Sequence, residues 1–154
     1  NALYRRGFAK EGYKVINTLY KHCHNYSVSC IYPGVPEYVN QRGQGMYHYL
    51  TGSASWLLLT VLNEMYGIKG ELGDLKLQPK LLKEQFKDNK AGASCLFGVV
   101  NINVIYENPK GLDAGEYSVK EIYINNEKYG NGDVIAKEDI NKLNKEVQIT
   151  AVLG

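Results

Sequence analysis

Apolar residues recur at helical spacing in the first part of the chain. Over residues 4–22 they return every three or four positions while lysine and arginine lie on the other side, which predicts an amphipathic helix. A second helix is predicted over residues 51–66, where residues 55–62 are apolar nearly all round. We expect such a helix to be buried on most sides inside a multi-helix barrel or bundle, and its face at residues 56–62 to be exposed in the chain alone. Gly67 and Ile68 follow it and predict a Schellman-type end.

Residues 25–50, between the two predicted helices, follow neither a helical nor a strand period. Two prolines and three glycines interrupt the stretch: Pro33, Gly34, Pro36, Gly43 and Gly45. A loop of this length inside a compact domain is more often functional than idle. We therefore treat these residues as candidates for a binding site.

The pattern changes to a period of two near residue 70. Strands are predicted over residues 96–100, 102–106, 117–124 and 147–153, and the last alternates with Val147, Ile149, Ala151 and Leu153 on one face. Turn sequences at residues 108–111, 125–126 and 130–132 separate them. Short strands with such turns are typical of a β-sandwich. The chain is thus predicted to be α+β, with a helical part over residues 1–69 and a sheet part over residues 70–154.

Composition and charge exclude several classes of function. The 154 residues are 44% hydrophobic and 22% charged, with a net charge of +2. Without a basic block we expect no nucleic-acid partner, and without a long apolar run we expect no membrane span. The three cysteines, Cys23, Cys30 and Cys95, are too few and too scattered for a disulfide framework. Reduced thiols and the absence of a signal-peptide pattern predict a cytoplasmic location.

The segment LTGSASW at residues 50–56 is the sharpest candidate for chemistry, because it opens the second predicted helix. Backbone N–H groups in a first helical turn lack internal partners, and the helix dipole adds positive charge there. Thr51 adds a hydroxyl, and Gly52 lets an anion approach the backbone, so the segment has the components of a phosphate site. A plain N-cap formed by Thr51 or Ser53 explains the same residues and remains open.

Polar residues in the preceding loop form a second candidate group. Its members are Glu37, Arg42, Gln44, Tyr47 and His48. They are consistent either with the walls of a polar ligand site or with a solvated loop. Glu37 has the chemistry of an acid or base, but the sequence names no partner for it. His22 and His24 lack the spacing of a metal site, so we expect no metal.

The stretches YPGVPEY at residues 32–38 and RGQGMYHYLTGSASW at residues 42–56 resemble glycoside hydrolase family 94. The resemblance continues through GIKG at 67–70, LGDL at 72–75, the Asn-Pro pair at 108–109 and residues 147–154. That family contains cellobiose, cellodextrin, chitobiose and 1,2-β-oligoglucan phosphorylases. The resemblance implies that residues 1–69 are the last helices of an (α/α)6 barrel, followed by a small C-terminal antiparallel β-sandwich.

The resemblance also implies site residues. Thr51 and Gly52 match the family's phosphate contacts, whereas the catalytic aspartic acid and the other phosphate ligands lie upstream of this chain. A glutamine near the sugar–phosphate site of cellobiose-type members falls close to Ile31, and Gln44 stands where relatives carry arginine. The first departure, together with residues 32–38, favours the cellodextrin or 1,2-β-oligoglucan branch. The second removes one positive contact from the loop.

The implied reaction is phosphorolysis of β-linked gluco-oligosaccharides with inversion, giving α-glucose 1-phosphate. It needs inorganic phosphate as co-substrate and no metal or organic cofactor. The expected partners are the glucan and the remainder of the same enzyme, and a homodimer is one possible assembly. Two alternatives stay open. One is an (α/α)6 hydrolase that uses water, and the other is a non-catalytic carbohydrate-binding or structural β-sandwich module, which exposed coplanar tyrosines on the sheets would favour.

Overall fold

The computed structural model describes residues 1–47 and 52–154, which divide into two compact units. The first unit spans Asn1–Val61 and the second Leu62–Gly154. The division falls between residues 61 and 62, whereas the sequence predicted it between residues 69 and 70. Helices dominate the first unit and sheets the second, so the chain is a mixed α and β protein.

The predicted helix over residues 4–22 is broken near its start. Helix α1 spans Ala2–Arg5, α2 spans Ala9–His24 and α3 spans Tyr26–Ser29. Gly7, with a φ of 85°, makes the turn between α1 and α2 and explains the break. The turn folds Tyr4 back onto α2, where its ring is fully buried. A Cβ on Gly12 would lie only 2.6 Å from Tyr4 Cε2, so the glycine makes room for the ring.

A small hairpin lies in the stretch that the sequence predicted as irregular. Strands β1 (Tyr38–Val39) and β2 (Gly45–Met46) pair antiparallel, with Tyr38 opposite Met46. The Asn40 carboxamide oxygen organises the turn by accepting the backbone N–H groups of Arg42 and Gln44 at 2.9 and 3.0 Å. The two strands are too short to form many backbone hydrogen bonds, so the hydrogen bonds to the Asn40 side chain help to hold the hairpin together.

The second predicted helix is present, but its last turns are widened. Helix α4 spans Gly52–Leu59 and continues as a π-helix over Thr60–Met65. The Thr60 hydroxyl donates to the Trp56 carbonyl oxygen at 2.7 Å at the point where the geometry changes. The sequence predicts that this helix is buried only inside a complete multi-helix barrel or bundle and that the chain alone exposes its face at residues 56–62. Trp56, Leu58 and Leu59 are exposed, because no other described part of the first unit covers them.

The second unit contains two sheets. Strands β3 (Ile68–Glu71), β4 (Asp74–Leu77) and β9 (Val134–Ile135) form a three-stranded sheet in that order. The larger sheet has the order β5-β6-β10-β7-β8, with the bounds Lys90–Phe97, Val100–Glu107, Glu146–Leu153, Val119–Ile124 and Glu127–Asn131. A 3-10 turn (Lys83–Gln85) and the short helix α5 (Lys137–Ile140) lie in the connections.

Alternation buries one face of the larger sheet. The residues predicted to share a face of the last strand, Val147, Ile149, Ala151 and Leu153, are all buried there, which confirms that prediction. The pairing differs from a wholly antiparallel sandwich, because β10 runs parallel to β6 and antiparallel to β7. This is possible because β10 returns through a long connection and enters the sheet between two strands that were already neighbours in sequence.

The two sheets contribute to one buried interior in the second unit. Leu75 and Leu77 of β4 are fully buried, as is Tyr106 of β6. The Tyr106 hydroxyl donates to the Tyr66 carbonyl oxygen at 2.6 Å, two residues before β3 begins. This arrangement is consistent with the sandwich part of the predicted fold. The described helices do not form a barrel by themselves, so the (α/α)6 assignment stays a prediction.

Within residues 1–47 and 52–154, the structure has no helix whose length and apolar character would allow it to cross a membrane.

Candidate functional site

The base of the β1–β2 hairpin meets the first turn of α4. Glu37 precedes β1, and its backbone N–H is fixed by the Met46 carbonyl oxygen at 3.0 Å. The Ser53 hydroxyl in the first turn of α4 donates to Glu37 Oε2 at 2.9 Å. The structure thus places an exposed carboxylate at the start of the apolar helix, and this contact joins the loop over residues 32–38 to the helix start at residues 52–56.

Two tyrosines lie beside this carboxylate. The rings of Tyr38 and Tyr47 have centroids 5.3 Å apart and planes tilted by 48°. About half of each ring system remains accessible, since both residues are 52% exposed. Partial burial raises the pKa of the Tyr38 phenol, and Tyr47 and the Glu37 carboxylate raise it further. Tyr38 therefore stays a neutral phenol that can donate a hydrogen bond.

A cavity of about 440 Å³ opens next to this group. Its floor is apolar and comes from α2 and α4, through Val15, Leu19 and Leu57 among others. Glu37, Tyr38, Ser53 and the edge of Trp56 contribute to its lining. A mostly apolar cavity with a few polar groups is the usual form of a small-molecule site.

Gly52 begins α4, as the phosphate interpretation requires. A Cβ at this position would lie 3.2 Å from Trp56 Cδ1, so a side chain would crowd the indole ring. Because glycine has no side chain, residue 52 itself does not obstruct the backbone N–H groups of the first turn. Thr51 and His48 fall within residues 48–51, outside the described residues, and their roles stay sequence predictions.

Arg42 and Gln44 lie at the other end of the hairpin. The Gln44 carboxamide oxygen accepts a hydrogen bond from Asn40 Nδ2 at 3.0 Å, and Arg42 is exposed in the turn. His22 contacts the same turn, with a ring nitrogen 2.7 Å from the Gly43 carbonyl oxygen. The structure therefore brings Glu37 and Tyr47 together and leaves Arg42 and Gln44 apart from them.

The first unit carries an excess of positive charge. Between residues 1 and 61 there are six basic residues and two acids, a balance of +4. The basic residues are Arg5, Arg6, Lys10, Lys14, Lys21 and Arg42, and the acids are Glu11 and Glu37. Such a balance favours an anionic ligand over a distance of about 8 Å at physiological salt.

The histidine pair of α2 is engaged in other contacts. His24 lies 3.0 Å from the Tyr20 carbonyl oxygen through Nδ1, and its ring contacts Tyr20 and Tyr32. Burial raises the pKa of the Cys23 thiol between them, which disfavours the thiolate that binds metals. Within the part of the chain that the structure describes, no group of three or more His, Cys, Asp or Glu residues could hold a metal ion.

The tyrosines of the second unit do not form a stacking surface. Tyr106 is fully buried, and Tyr117 donates to the Leu81 carbonyl oxygen at 2.8 Å. Tyr123 donates to Glu121 and Tyr129 to Asp139, at 2.8 and 2.9 Å. These contacts count against a carbohydrate-binding module that uses exposed coplanar tyrosines on its sheets.

The sequence matches no protein-family model, and a search of curated proteins finds no match for it.

Proposed function

We propose that this chain is the C-terminal portion of an inverting phosphorylase that cleaves β-linked gluco-oligosaccharides with inorganic phosphate and releases α-glucose 1-phosphate. The single observation that carries the proposal is the hydrogen bond from Ser53 to Glu37. It joins the hairpin segment and the helix start, the two stretches whose sequences resemble glycoside hydrolase family 94. The loop to which we assign sugar binding and the helix start to which we assign phosphate binding therefore lie next to each other, which supports the proposal.

In the proposed mechanism, Thr51 and Gly52 hold phosphate at the start of α4. The unpaired N–H groups of the first turn and the positive charge of the first unit stabilise the anion. Phosphate attacks the anomeric carbon in line, while an aspartic acid outside this chain protonates the leaving glycosidic oxygen. The anomeric carbon is inverted, so a β-linkage gives α-glucose 1-phosphate. This chain contributes positioning and charge stabilisation rather than proton transfer.

A hydrolase that uses water is the second candidate, and Glu37 favours it. A carboxylate at the helix start opposes the approach of a phosphate dianion, because like charges repel at short distance. An ionised carboxylate is also the group that activates water in an inverting hydrolase. The two candidates differ in whether turnover requires phosphate.

The test is a product assay with the protein as its natural host produces it. The substrates are cellotriose and β-1,2-linked glucotriose, each with and without inorganic phosphate. We expect α-glucose 1-phosphate only when phosphate is present. Release of free glucose at equal rates with and without phosphate would instead establish the hydrolase.

Gly52→Ala tests the proposed phosphate contact independently of the other parts of the enzyme. The added methyl group would crowd the exposed Trp56 ring and narrow the approach to the helix start. We expect the KM for phosphate to rise about tenfold, which corresponds to about 1.4 kcal/mol, and to rise more than the KM for glucan. The matched control is Gly130→Ala, where a Cβ meets nothing within 4 Å. An unchanged phosphate KM in Gly52→Ala would refute the assigned phosphate contact.

A further inference from the structure

The cavity between α2, α4 and the hairpin combines apolar walls with a small polar group. Its volume of about 440 Å³ lies within the range of roughly 300–1,000 Å³ for small-molecule sites. Glu37 is the one charged side chain among the described residues that line it. An anion would meet this carboxylate without a compensating cationic side chain among the described lining residues. A neutral ligand with hydroxyl groups and apolar faces suits the cavity better.

The carboxylate of Glu37 can accept further hydrogen bonds from ligand hydroxyl groups. One of its oxygens accepts the Ser53 hydroxyl at 2.9 Å, which fixes the side chain against α4. An ionised carboxylate offers about four lone-pair positions, so several acceptor positions remain. Two neighbouring hydroxyl groups of one sugar ring can donate to them, and hydrogen bonds to a charged acceptor are the stronger kind.

Aromatic surface is available on two walls of the cavity. Tyr38 is 52% exposed and is supported from one side by the Tyr47 ring. Trp56 is 62% exposed on α4. A β-glucosyl ring holds its hydroxyl groups around its edge and presents C–H groups on both faces. Aromatic rings bury such apolar faces while polar groups bind the edge.

We propose that this cavity binds one β-glucosyl unit of the substrate, with Glu37 accepting two adjacent hydroxyl groups and with Tyr38 and Trp56 packing against the ring faces. The choice of a β-glucan rests on the proposed function. The cavity adds a subsite and assigns Tyr38 and Trp56 as sugar-contacting residues. Glu37 then orients the sugar and does not activate water.

Trp56 makes the subsite directly measurable, because it is the single tryptophan of the chain. The 154-residue chain is titrated with cellotriose, with β-1,2-linked glucotriose and with maltotriose as an α-linked control, and Trp56 emission is followed. We expect a saturable blue shift with at least one β-linked trisaccharide and none with maltotriose. Glu37→Gln should weaken this binding about tenfold, as expected for loss of one hydrogen bond to a charged group.

Two tyrosine variants test the stacking contact. Tyr38→Ala should abolish the emission change, whereas Tyr38→Phe should retain most of it. Tyr26→Ala removes another exposed ring of the first unit, one that does not line the cavity, and should bind like the unaltered chain. Far-UV circular dichroism confirms that each variant is folded. The proposal is overturned if no trisaccharide changes Trp56 emission, or if Glu37→Gln and Tyr38→Ala bind normally.

The outcome for the subsite is distinguishable from that for the enzyme. Saturable β-glucan binding without phosphate-dependent turnover keeps the subsite and refutes the phosphorylase. Phosphate-dependent turnover whose glucan KM is unchanged in Glu37→Gln keeps the phosphorylase and refutes the subsite. Emission changes that follow protein concentration and not sugar concentration would mean that a second chain occupies the cavity, which also refutes the subsite.

Discussion

At the scale of single residues, Gly67 is the described glycine with the least room for a side chain. Its φ is 66°, and a Cβ would lie 1.9 Å from the Gln78 carbonyl oxygen. The obstacle is backbone, and Gln78 is itself held by its N–H bond to the Gly67 carbonyl oxygen at 2.9 Å. Gly67→Ala should therefore lower the free energy of unfolding by roughly 2–4 kcal/mol.

Urea unfolding followed by circular dichroism measures this loss. Gly130→Ala provides the matched control, because its Cβ enters open space. A loss below about 0.5 kcal/mol in Gly67→Ala, the usual scale of a surface change, would mean that the backbone at Gln78 yields easily. The glycine would then be a simple helix terminator.

Glu121 gives the second unit a defined dependence on pH. Its hydrogen bonds from Lys128 and then from Tyr123 hold the pKa of this carboxyl below its ordinary value of 4.5. The unfolded chain therefore binds a proton at a pH where the folded chain does not. The stabilisation is fully present above 4.5 and is lost as the pH falls through the lower folded-state pKa.

We expect Glu121→Gln to be less stable than the unaltered chain at neutral pH and equally stable at low pH. Urea unfolding at a series of acidic pH values tests this convergence. Glu127→Gln alters an exposed glutamate of the same hairpin and serves as the matched control. Parallel curves for Glu121→Gln and the unaltered chain would contradict the assignment.

The site residues show how far single positions can be predicted from sequence. Glu37 and Tyr47 were named as loop residues, and the structure brings them together. Tyr38 and Trp56 were missed as members of the site. The pairing of Tyr38 with Tyr47 depends on the hairpin register, in which Tyr38 lies opposite Met46. Two-residue strands carry no periodicity from which that register could be predicted.

At the scale of elements, the β7–β8 hairpin follows a two-residue turn. Asn125 and Asn126 both have positive φ, at 49° and 70°, as a type I′ turn requires. Asn125 is also fixed to β10, because its carboxamide oxygen accepts the Gln148 N–H at 3.0 Å. Asn126 does not make this hydrogen bond to β10. Glycine at position 126 would adopt the positive φ without strain and without the loss of that bond.

Asn126→Gly should raise the free energy of unfolding by about 0.5 kcal/mol, and Asn126→Ala should lower it by about 1 kcal/mol. Both values are read from urea unfolding of the second unit. Asn131→Gly makes the same substitution at the end of β8, where extended backbone is required, and should destabilise. Loss of stability in Asn126→Gly would contradict the turn assignment.

The predicted boundaries of helices and strands were wrong where a single glycine changes the direction of the backbone. The first predicted helix ignored Gly7, whose positive φ divides α1 from α2. The predicted strand over residues 96–100 ran through Gly98, which turns the chain between β5 and β6. Alternation identified β10 correctly, because its burial pattern has a strict period of two. Its parallel partner β6 could not be predicted, since pairing between distant strands leaves no local pattern.

At the scale of the whole molecule, the sequence separated two parts by their periodicity, and the structure shows two compact units. The sequence predicted the apolar helix to be buried, but it could not show what would cover it. One side of α4, including Trp56 and Leu57, lines the cavity. Leu58 and Leu59 face away from it and remain 60% and 46% exposed. The first unit therefore presents apolar surface on two sides of one helix.

Adjacent exposed leucines on a helix favour association, since burying each leucine contributes about 1.5–3 kcal/mol. We expect the 154-residue chain to self-associate, with a sedimentation coefficient that rises with concentration. The double substitution Leu58→Glu and Leu59→Glu should keep the chain monomeric, because charged groups oppose burial. Leu72→Glu with Val99→Glu changes two exposed residues of the second unit and should leave association intact. If the unaltered chain sediments as a monomer at every concentration, the exposed side of α4 needs no partner. Exposed apolar surface on α4 would then no longer be an argument that further barrel helices pack against it.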